Sequence, residues 1–463
     1  MPQQAESNSP KYEYYGMEPY PHQLETVKFY LLNKRAYNFS AMGSGKTAST
    51  IWACDMLMYY GKIKKALIIC PLSIMRTVWF EEIRKLAPDK DIQIVHGSRK
   101  DRLKALNTKA DFYITNHDAV RSYEDALQAA NFDVIVIDEL TAYKHASSAR
   151  SKAMVKLANA RNVQCLWGLT GTPITTGPLD AFGIGKVVNF GQLPTRYYTK
   201  FRGMTMIQRD MYNYDCKPGW QDTVFKALQP AIKFTLEECI DIPPITFETR
   251  EVALSPDQKK VYKEMVKDQI AEYKSGTIVA ANAGTKALKL LQISGGTVID
   301  EDGETHDLPI GPRYNELKMV IAESGNKLVV FCQFVATVNR LQEMLEGDGF
   351  KCSKVYGDVP LKQRESIFAH FQEGDLEILV AQVRTVSHGL TLIASHYGCF
   401  YQPIMGAEAY LQAVQRIRRM GQTKHQVIVK LQATQAEKNL YKLLAGNEMD
   451  GKSILDMYKS GDL

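Results

Sequence analysis

Two groups of residues in this sequence have the types and spacing for chemistry on phosphate. The first is Ser40-Ala41-Met42-Gly43-Ser44-Gly45-Lys46-Thr47. Gly43 and Gly45 let the backbone curl until several N–H groups, those of Met42 to Thr47 among them, face one point. Lys46 would reach the β- and γ-phosphates of a nucleotide held there, and the Thr47 hydroxyl would hold Mg²⁺. The full eight-residue pattern asks for glycine where Ser40 stands. The second group is Asp133-Val134-Ile135-Val136-Ile137-Asp138-Glu139, an apolar run that ends in two carboxylates. Asp138 suits the Mg²⁺ shell, and Glu139 suits the orientation and deprotonation of an attacking water. Alone, the acidic pair could simply end a strand. Beside a phosphate loop it completes a set whose chemistry is Mg²⁺-assisted hydrolysis of a nucleoside triphosphate, with Lys46, Asp138 and Glu139 as catalytic residues.

These residues need elements to hold them. Arg35 to Phe39 can be a strand, and Ala48 to Ala53 can open a helix whose N-terminus adds partial positive charge at the loop. The run ending at Asp138 reads as a buried parallel strand, so its acids fall at the C-terminal end, where α/β sheets place their ligands. Further strands are expected at Lys65 to Cys70, Ile92 to Val95, Phe112 to Thr115 and Val163 to Thr170, with a helix from Ile74 to Leu86. Strands separated by helical stretches predict an α/β fold, a parallel sheet with helices on both faces. The turn Leu169-Thr170-Gly171-Thr172-Pro173-Ile174 is rich in small hydroxyl residues. It is either an ordinary strand-to-loop turn or a coupling element, with Thr170 and Thr172 sensing the γ-phosphate. Upstream, Gln23 stands at the head of a helical pattern, where its amide could pair with donor and acceptor on adenine.

At 463 residues the chain is too long for one ordinary core, and two or three domains are expected. A hydrophobic content of 45% with 23% charged residues describes a soluble globular protein. The net charge of +6 permits a polyanionic partner without demanding one. Eight cysteines are scattered with no Cys-x-x-Cys pair, which argues against zinc and for reduced, buried thiols. The N-terminus has no apolar signal core and no run approaches the length of a membrane span, so a cytoplasmic protein with no membrane partner is expected.

Residues 1–16 read as a loose, flexible polar tail. A first lobe is expected over 17–235, with a basic and aromatic insertion from about 186 to 235 that includes Arg196, Tyr197, Tyr198, Lys200, Arg202 and Trp220. That composition suits phosphate-backbone contact with stacking, or a solvated insertion with its own small core. Asp241-Ile242-Pro243-Pro244 marks a boundary. A second lobe is expected over 236–463, with a helical insertion at about 255–310. Strands at Lys327 to Cys332, Lys351 to Tyr356, Leu376 to Val380 and Gln426 to Val429 rebuild the alternation without a phosphate loop. From Glu408 to Gln422 the pattern predicts one helix. On it Arg416 and Arg419, three apart, would share a face, either as a solvated stripe or as arginine fingers that offset charge on a transferring phosphoryl group.

The motifs together resemble the Swi/Snf-type ATPases within superfamily two of the helicases. Leu67 to Ser73 is similar to the family's motif Ia and Ile114 to His117 to Ib. Asp138-Glu139-Leu140-Thr141 stands where the family has Asp-Glu-Ala-His. Leu169 to Ile174 is similar to motif III, Leu236 to Pro244 to the linker between lobes, Val329 to Phe334 to motif IV, Gln382 to Leu392 to a diverged motif V, and Gln412 to Gln422 to motif VI. The likeness runs from about Tyr20 to Val429. Ile404-Met405-Gly406-Ala407 replaces the family's Trp-Trp-Asn-Pro, and His388 replaces Val or Leu. No reader module is visible, which points to a minimal motor of phage or bacterial type.

The resemblance implies two RecA-like lobes with small helical insertions, closing over ATP-Mg²⁺ with double-stranded DNA across both. It implies a DNA-dependent ATPase, expected to be a monomer, that translocates on the duplex and remodels DNA or protein–DNA complexes. By motif position, contacts to the DNA backbone fall to Ser73, Thr115, Asn116, Gln333 and Arg384, and Gln412 joins Thr170 and Thr172 in coupling. Two other functions stay open. A fork-regressing, annealing or strand-separating helicase would prefer forked or branched DNA. An ATP-bound DNA scaffold or inhibitor would have no need of Lys46, Asp138, Glu139, Arg416 and Arg419 together.

Overall fold

The apolar runs of the N-terminal half become strands of one sheet. The protein is described here by a computed structural model over residues 12–211, 213–274, 280–300, 302–325, 327–386, 392–419 and 421–445. The described chain divides after Ile240 into two units. The first holds β1 (Arg35–Asn38), β2 (Ala66–Cys70), β3 (Ile92–Ile94), β4 (Phe112–Asn116), β5 (Val134–Asp138), β6 (Cys165–Leu169), the hairpin β7 (Met206–Gln208) and β8 (Tyr214–Cys216), and β9 (Ala231–Ile232). Seven of these form a sheet in the order β3-β4-β2-β5-β6-β1-β9, with every pair parallel.

Continuous apolar runs are required because both faces of a parallel sheet are covered. Along β5, Val134 and Val136 enter one hydrophobic cluster while Ile135 and Ile137 enter the other. Ala66, Ile68 and Cys70 of β2 divide from Leu67 and Ile69 in the same way. Helix Lys46–Tyr59 packs its Ile51, Trp52 and Ala53 on one face, and helix Leu179–Val188 packs Phe182 and Ile184 on the other.

Several expectations need correction in this unit. The segment Ile74 to Leu86 is three pieces, a 3₁₀ turn at Leu72–Ile74, a π-helical stretch at Met75–Phe80 and an α-helix at Glu81–Leu86. The tail is not loose throughout. Tyr12 is buried and donates its hydroxyl to Asp55 at 2.6 Å, and Tyr14 meets Trp52 edge-on. The insertion does not fold around a core of its own, because Phe201, Trp220 and Val224 join the cluster beneath the sheet. Its cationic and aromatic residues do pair at the surface, with Arg202 over Tyr214 at 4.3 Å.

The second unit holds β10 (Ile245–Glu251), the hairpin β11 (Thr297–Ile299) and β12 (Thr305–Asp307), β13 (Leu328–Cys332), β14 (Cys352–Val355), β15 (Ile378–Gln382), β16 (Tyr397–Phe400) and β17 (Gln426–Gln432). Six strands make a second parallel sheet in the order β10-β17-β16-β13-β15-β14. Helices Pro256–Lys274 and Ala280–Gly295 lie between β10 and β11. Under this sheet the fully buried Arg313 grips Glu437 with two hydrogen bonds of 2.8 Å and donates to Tyr401 O. Glu437 also accepts from Ser294 Oγ and from the backbone N–H groups of Ala433 and Thr434 in its own segment, so one carboxylate ties three segments together.

Candidate active site

The loop after β1 takes the shape its glycines permit. Gly43 and Gly45 have φ of 82° and 77°, in the left-handed region that favours glycine. At Gly45 a Cβ would also collide with the Gln23 amide, so any side chain there must displace that amide. His22 Nε2 lies 2.8 Å from Ser44 O and braces the loop from the same helix. Lys46 opens helix Lys46–Tyr59, and its ammonium donates to the carbonyls of Ser40 and Ala41 at 2.7 and 2.9 Å. Ser40, the departure from the glycine pattern, is buried and accepts at Oγ from Phe234 N. Its side chain therefore links the loop to the segment after β9. Gln23 is buried, and its Oε1 accepts from Tyr20 N at 2.9 Å, capping its own helix while lying against the phosphate loop.

The two carboxylates emerge at the end of β5, beside β2 and β6. Asp138 is partly buried, accepting from Trp79 Nε1 at 2.8 Å and from Glu139 N at 3.0 Å. Desolvation pushes its carboxyl above the ordinary carboxylate range, against the downward pull of the Trp79 N–H, the nearby Lys46 ammonium and the Glu139 N–H. A carboxylate and a hydroxyl are hard oxygen donors of the kind Mg²⁺ takes. Asp138 and Thr47 are the residues that would supply such donors to the ion.

Glu139 is held against its backbone preference. It has φ 57° and ψ 60°, the left-handed conformation in which a glutamate is strained. Its Oε1 accepts from Thr141 Oγ1 at 3.0 Å and from Thr170 Oγ1 at 3.3 Å. The turn after β6 therefore meets the turn after β5 at the carboxylate assigned to water. Thr170 Oγ1 also accepts from Thr172 N, and a Cβ on Gly171 would lie 3.5 Å from Met42 Cγ. The hydroxyl-rich turn touches both the phosphate loop and Glu139.

In the second unit the predicted helix is shorter, Ala407–Ile417. Arg418 caps it with φ −88° and ψ 84°, so Arg416 lies on the helix and Arg419 beyond its end. The two arginines do not share a helical face as the spacing predicts. Arg416 is buried, its carbonyl accepting from Leu392 N, and burial pulls the Arg419 guanidinium below its ordinary range. Gln412 is buried near Glu408.

The residues assigned to DNA contact divide. Thr115 is fully buried and donates to Val95 O at 3.0 Å, which removes its side chain from any surface. Asn116 is nearly buried and accepts from Arg102. Ser73 lies in the 3₁₀ turn after β2, Gln333 accepts from Met405 N at 3.0 Å, and Arg384 is exposed. His388 lies outside the described residues.

The description of the SNF2-related domain matches residues 22–294, more than half of the chain, and that of the helicase conserved C-terminal domain matches residues 313–421. The chain belongs to the SNF2 family. It is an ATP hydrolase of helicase superfamily two. Protein p41 of Acyrthosiphon pisum secondary endosymbiont phage 1 is 26% identical, with 95% of this chain and 97% of that protein covered. YwqA of Bacillus subtilis, named as a candidate ATP-dependent helicase/translocase, is 24% identical over 89% of this chain and 45% of its own length. The ISWI chromatin-remodeling complex ATPase ISW1 of Saccharomyces cerevisiae is 22% identical over 84% of this chain and 36% of its own. The chain thus spans nearly all of the phage protein and less than half of the other two. Among solved structures it is similar to the Sulfolobus solfataricus SWI2/SNF2 ATPase core in complex with dsDNA, with a TM-score of 0.46, 22% identity and coverage of 97% and 94%.

Two contributors to this SNF2 site were missed in the sequence. Thr141 stands where the family carries histidine, and the structure shows its hydroxyl on Glu139. That departure was itself the available signal. Trp79 reaches Asp138 from 59 residues away, and nothing local marks it.

Proposed function

We propose that this SNF2 protein is a DNA-dependent ATPase that translocates on double-stranded DNA and couples hydrolysis to remodelling of DNA or protein–DNA complexes. The observation that carries the reading is the junction at Glu139, where the turns after β5 and β6 meet through Thr141 and Thr170. A water-orienting carboxylate whose position depends on a second turn can be made responsive to what that turn senses. Family membership over both SNF2 and helicase C-terminal segments supports the motor assignment.

In this mechanism ATP phosphates take Lys46 away from the Ser40 and Ala41 carbonyls, and the backbone N–H groups of Gly43 to Thr47 receive their charge. Mg²⁺ held by Thr47 and Asp138 would draw charge from the β- and γ-phosphates when bound. Glu139 takes a proton from water as the water oxygen bonds to the γ-phosphorus, and the bond to the β–γ bridging oxygen breaks to leave ADP. Arg416 and Arg419 would offset the charge on the transferring group once DNA aligns them. Ser73, Asn116, Gln333 and Arg384 would touch the DNA backbone, a mode that carries no sequence preference.

Steady-state ATPase rates without nucleic acid and with single-stranded DNA, blunt duplex, forked DNA or RNA test the proposal. Glu139→Gln is the blank and should lose on the order of a thousandfold in rate. Strong stimulation by blunt duplex, with displacement of a triplex-forming strand, is the expected result. Stimulation by forked or single-stranded DNA alone would replace it with fork remodelling or annealing. Full turnover in Glu139→Gln would overturn the role of that residue.

A further inference from the structure

Away from the nucleotide loop, the first unit has a concave pocket of about 520 Å³ whose wall is strongly basic. Lys144, His145, Lys152, Lys186 and Arg196 line it, and Asp180 is its one carboxylate. That carboxylate is already engaged. It accepts from Thr175 N at 2.8 Å, Thr175 Oγ1 at 3.1 Å, Thr176 N at 2.8 Å and Thr176 Oγ1 at 2.6 Å. It therefore ties down the loop after β6 and offers little to neutralise the lysines. Lys144 donates to Thr175 Oγ1 at 2.6 Å. No ion pair among the described residues engages Lys152, Lys186 or Arg196, although ion pairs do form elsewhere on this unit, at Arg150 with Asp118 and Lys156 with Glu124.

Like charges gathered in a cleft repel one another and raise the local concentration of counter-ions. Such a grouping, with one carboxylate that is already engaged, in a chain with 51 acidic residues, suits an anionic ligand with several charges. The pocket is roomier than one phosphate group needs. Tyr198, packed edge-on against Phe182, gives part of the wall an aromatic surface. The position is informative as well. Lys144 and His145 continue the turn that begins at Asp138-Glu139, and Thr176 continues the turn that begins at Thr170.

We propose that this pocket is a second phosphate-binding site, which seats consecutive phosphate groups carried by a DNA strand or by a free polyphosphate. Lys152, Lys186 and Arg196 supply the charge, and Lys144, fixed by Thr175, forms the floor. The site does not depend on the translocation reading, since a phosphate can bind whether or not the protein moves on DNA.

The test uses the full chain. Inorganic tripolyphosphate is titrated by calorimetry into the Lys46→Ala variant, whose nucleotide loop is disabled, and a blunt duplex is titrated into wild-type protein by fluorescence anisotropy over a range of salt. Both titrations are repeated with Lys152→Glu and Arg196→Glu added. These two exposed positions leave the core untouched, which thermal melting checks, and Lys186→Ala is a second, independent variant. Tripolyphosphate binding should persist in Lys46→Ala and weaken about tenfold or more with the added charge reversals. If the phosphates come from DNA, duplex affinity also falls by about tenfold and the slope of log K against log salt shrinks by about two. If the source is free polyphosphate, the duplex titration does not change. Unaltered tripolyphosphate and duplex binding in both variants would overturn the proposal, whereas failure of the translocation reading would show as absent DNA stimulation with these titrations intact.

Discussion

Replacing Thr170 by valine removes one hydroxyl from Glu139 while keeping the shape of a buried side chain. Oε1 of Glu139 accepts from Thr170 at 3.3 Å and from Thr141 at 3.0 Å, on a backbone held at φ 57°. A hydrogen bond to a charged acceptor contributes about 1.5–3 kcal/mol. The longer Thr170 bond takes the lower figure, about 1.5 kcal/mol, which is about tenfold in rate if it acts through the orientation of the attacking water. The shorter Thr141 bond warrants about 2 kcal/mol, or about thirtyfold for Thr141→Val. Because both hydroxyls meet one oxygen, the double variant should fall short of the product of the single losses. The assay is DNA-stimulated ATP turnover at saturating ATP, with KM followed alongside. The loss is expected in kcat with KM little changed, and Thr170→Ser should restore most of it. Wild-type kcat in both valine variants, with melting temperatures unchanged, would refute the argument that these hydroxyls position Glu139.

Glu437→Ala should destabilise the second unit by about 3–5 kcal/mol, because it leaves the fully buried Arg313 without its carboxylate. Replacing both partners by leucine should lose less than Glu437→Ala alone, and urea unfolding midpoints decide between that and additive losses. Gly45→Ala should raise the KM for ATP at least about tenfold with a small drop in melting temperature, since the left-handed backbone is strained with any side chain and the Gln23 amide must swing off its helix cap. The Asp300 carboxylate beside His306 holds its imidazolium above the ordinary histidine range. What that pair adds to the hairpin is therefore complete below the unfolded histidine pKa and disappears as pH rises through the folded value. The proton NMR midpoint of His306 should lie above 6.5 and move down in Asp300→Asn.

The strands that carry the site were legible because each is a short apolar run with its chemistry at one end. Arg35–Asn38 before the glycine loop, Val134–Asp138 before Glu139 and Cys165–Leu169 before Thr170 all lie where the pattern put them, within a few residues. The strand Tyr397–Phe400 was not legible. Gly398 weakens its pattern, yet a side chain there would collide with Ile417 and Ile428, so the glycine is demanded by packing from distant segments. The edge strand Ile245–Glu251 was hidden because its residues are half-exposed and its partner, Gln426–Gln432, is remote in sequence. The helix bearing Arg416 was overextended, because periodicity runs on past Ile417 while the backbone turns away at Arg418.

What the sequence by itself determined was the chemistry. Phosphate-binding glycines, a lysine, two carboxylates and a hydroxyl-rich turn need only a few adjacent residues each, and local backbone rules place every such group at a strand end. Tertiary structure alone decided which of these groups meet. Glu139, in its left-handed conformation, has its carboxylate on Thr141 and Thr170, and Asp138 gains Trp79 through the folding of a distant segment. Thr115 is withdrawn from the surface and five basic residues are gathered into one pocket in the same way. Apart from the local Thr141 bond, these contacts join residues far apart along the chain, and no local pattern records them.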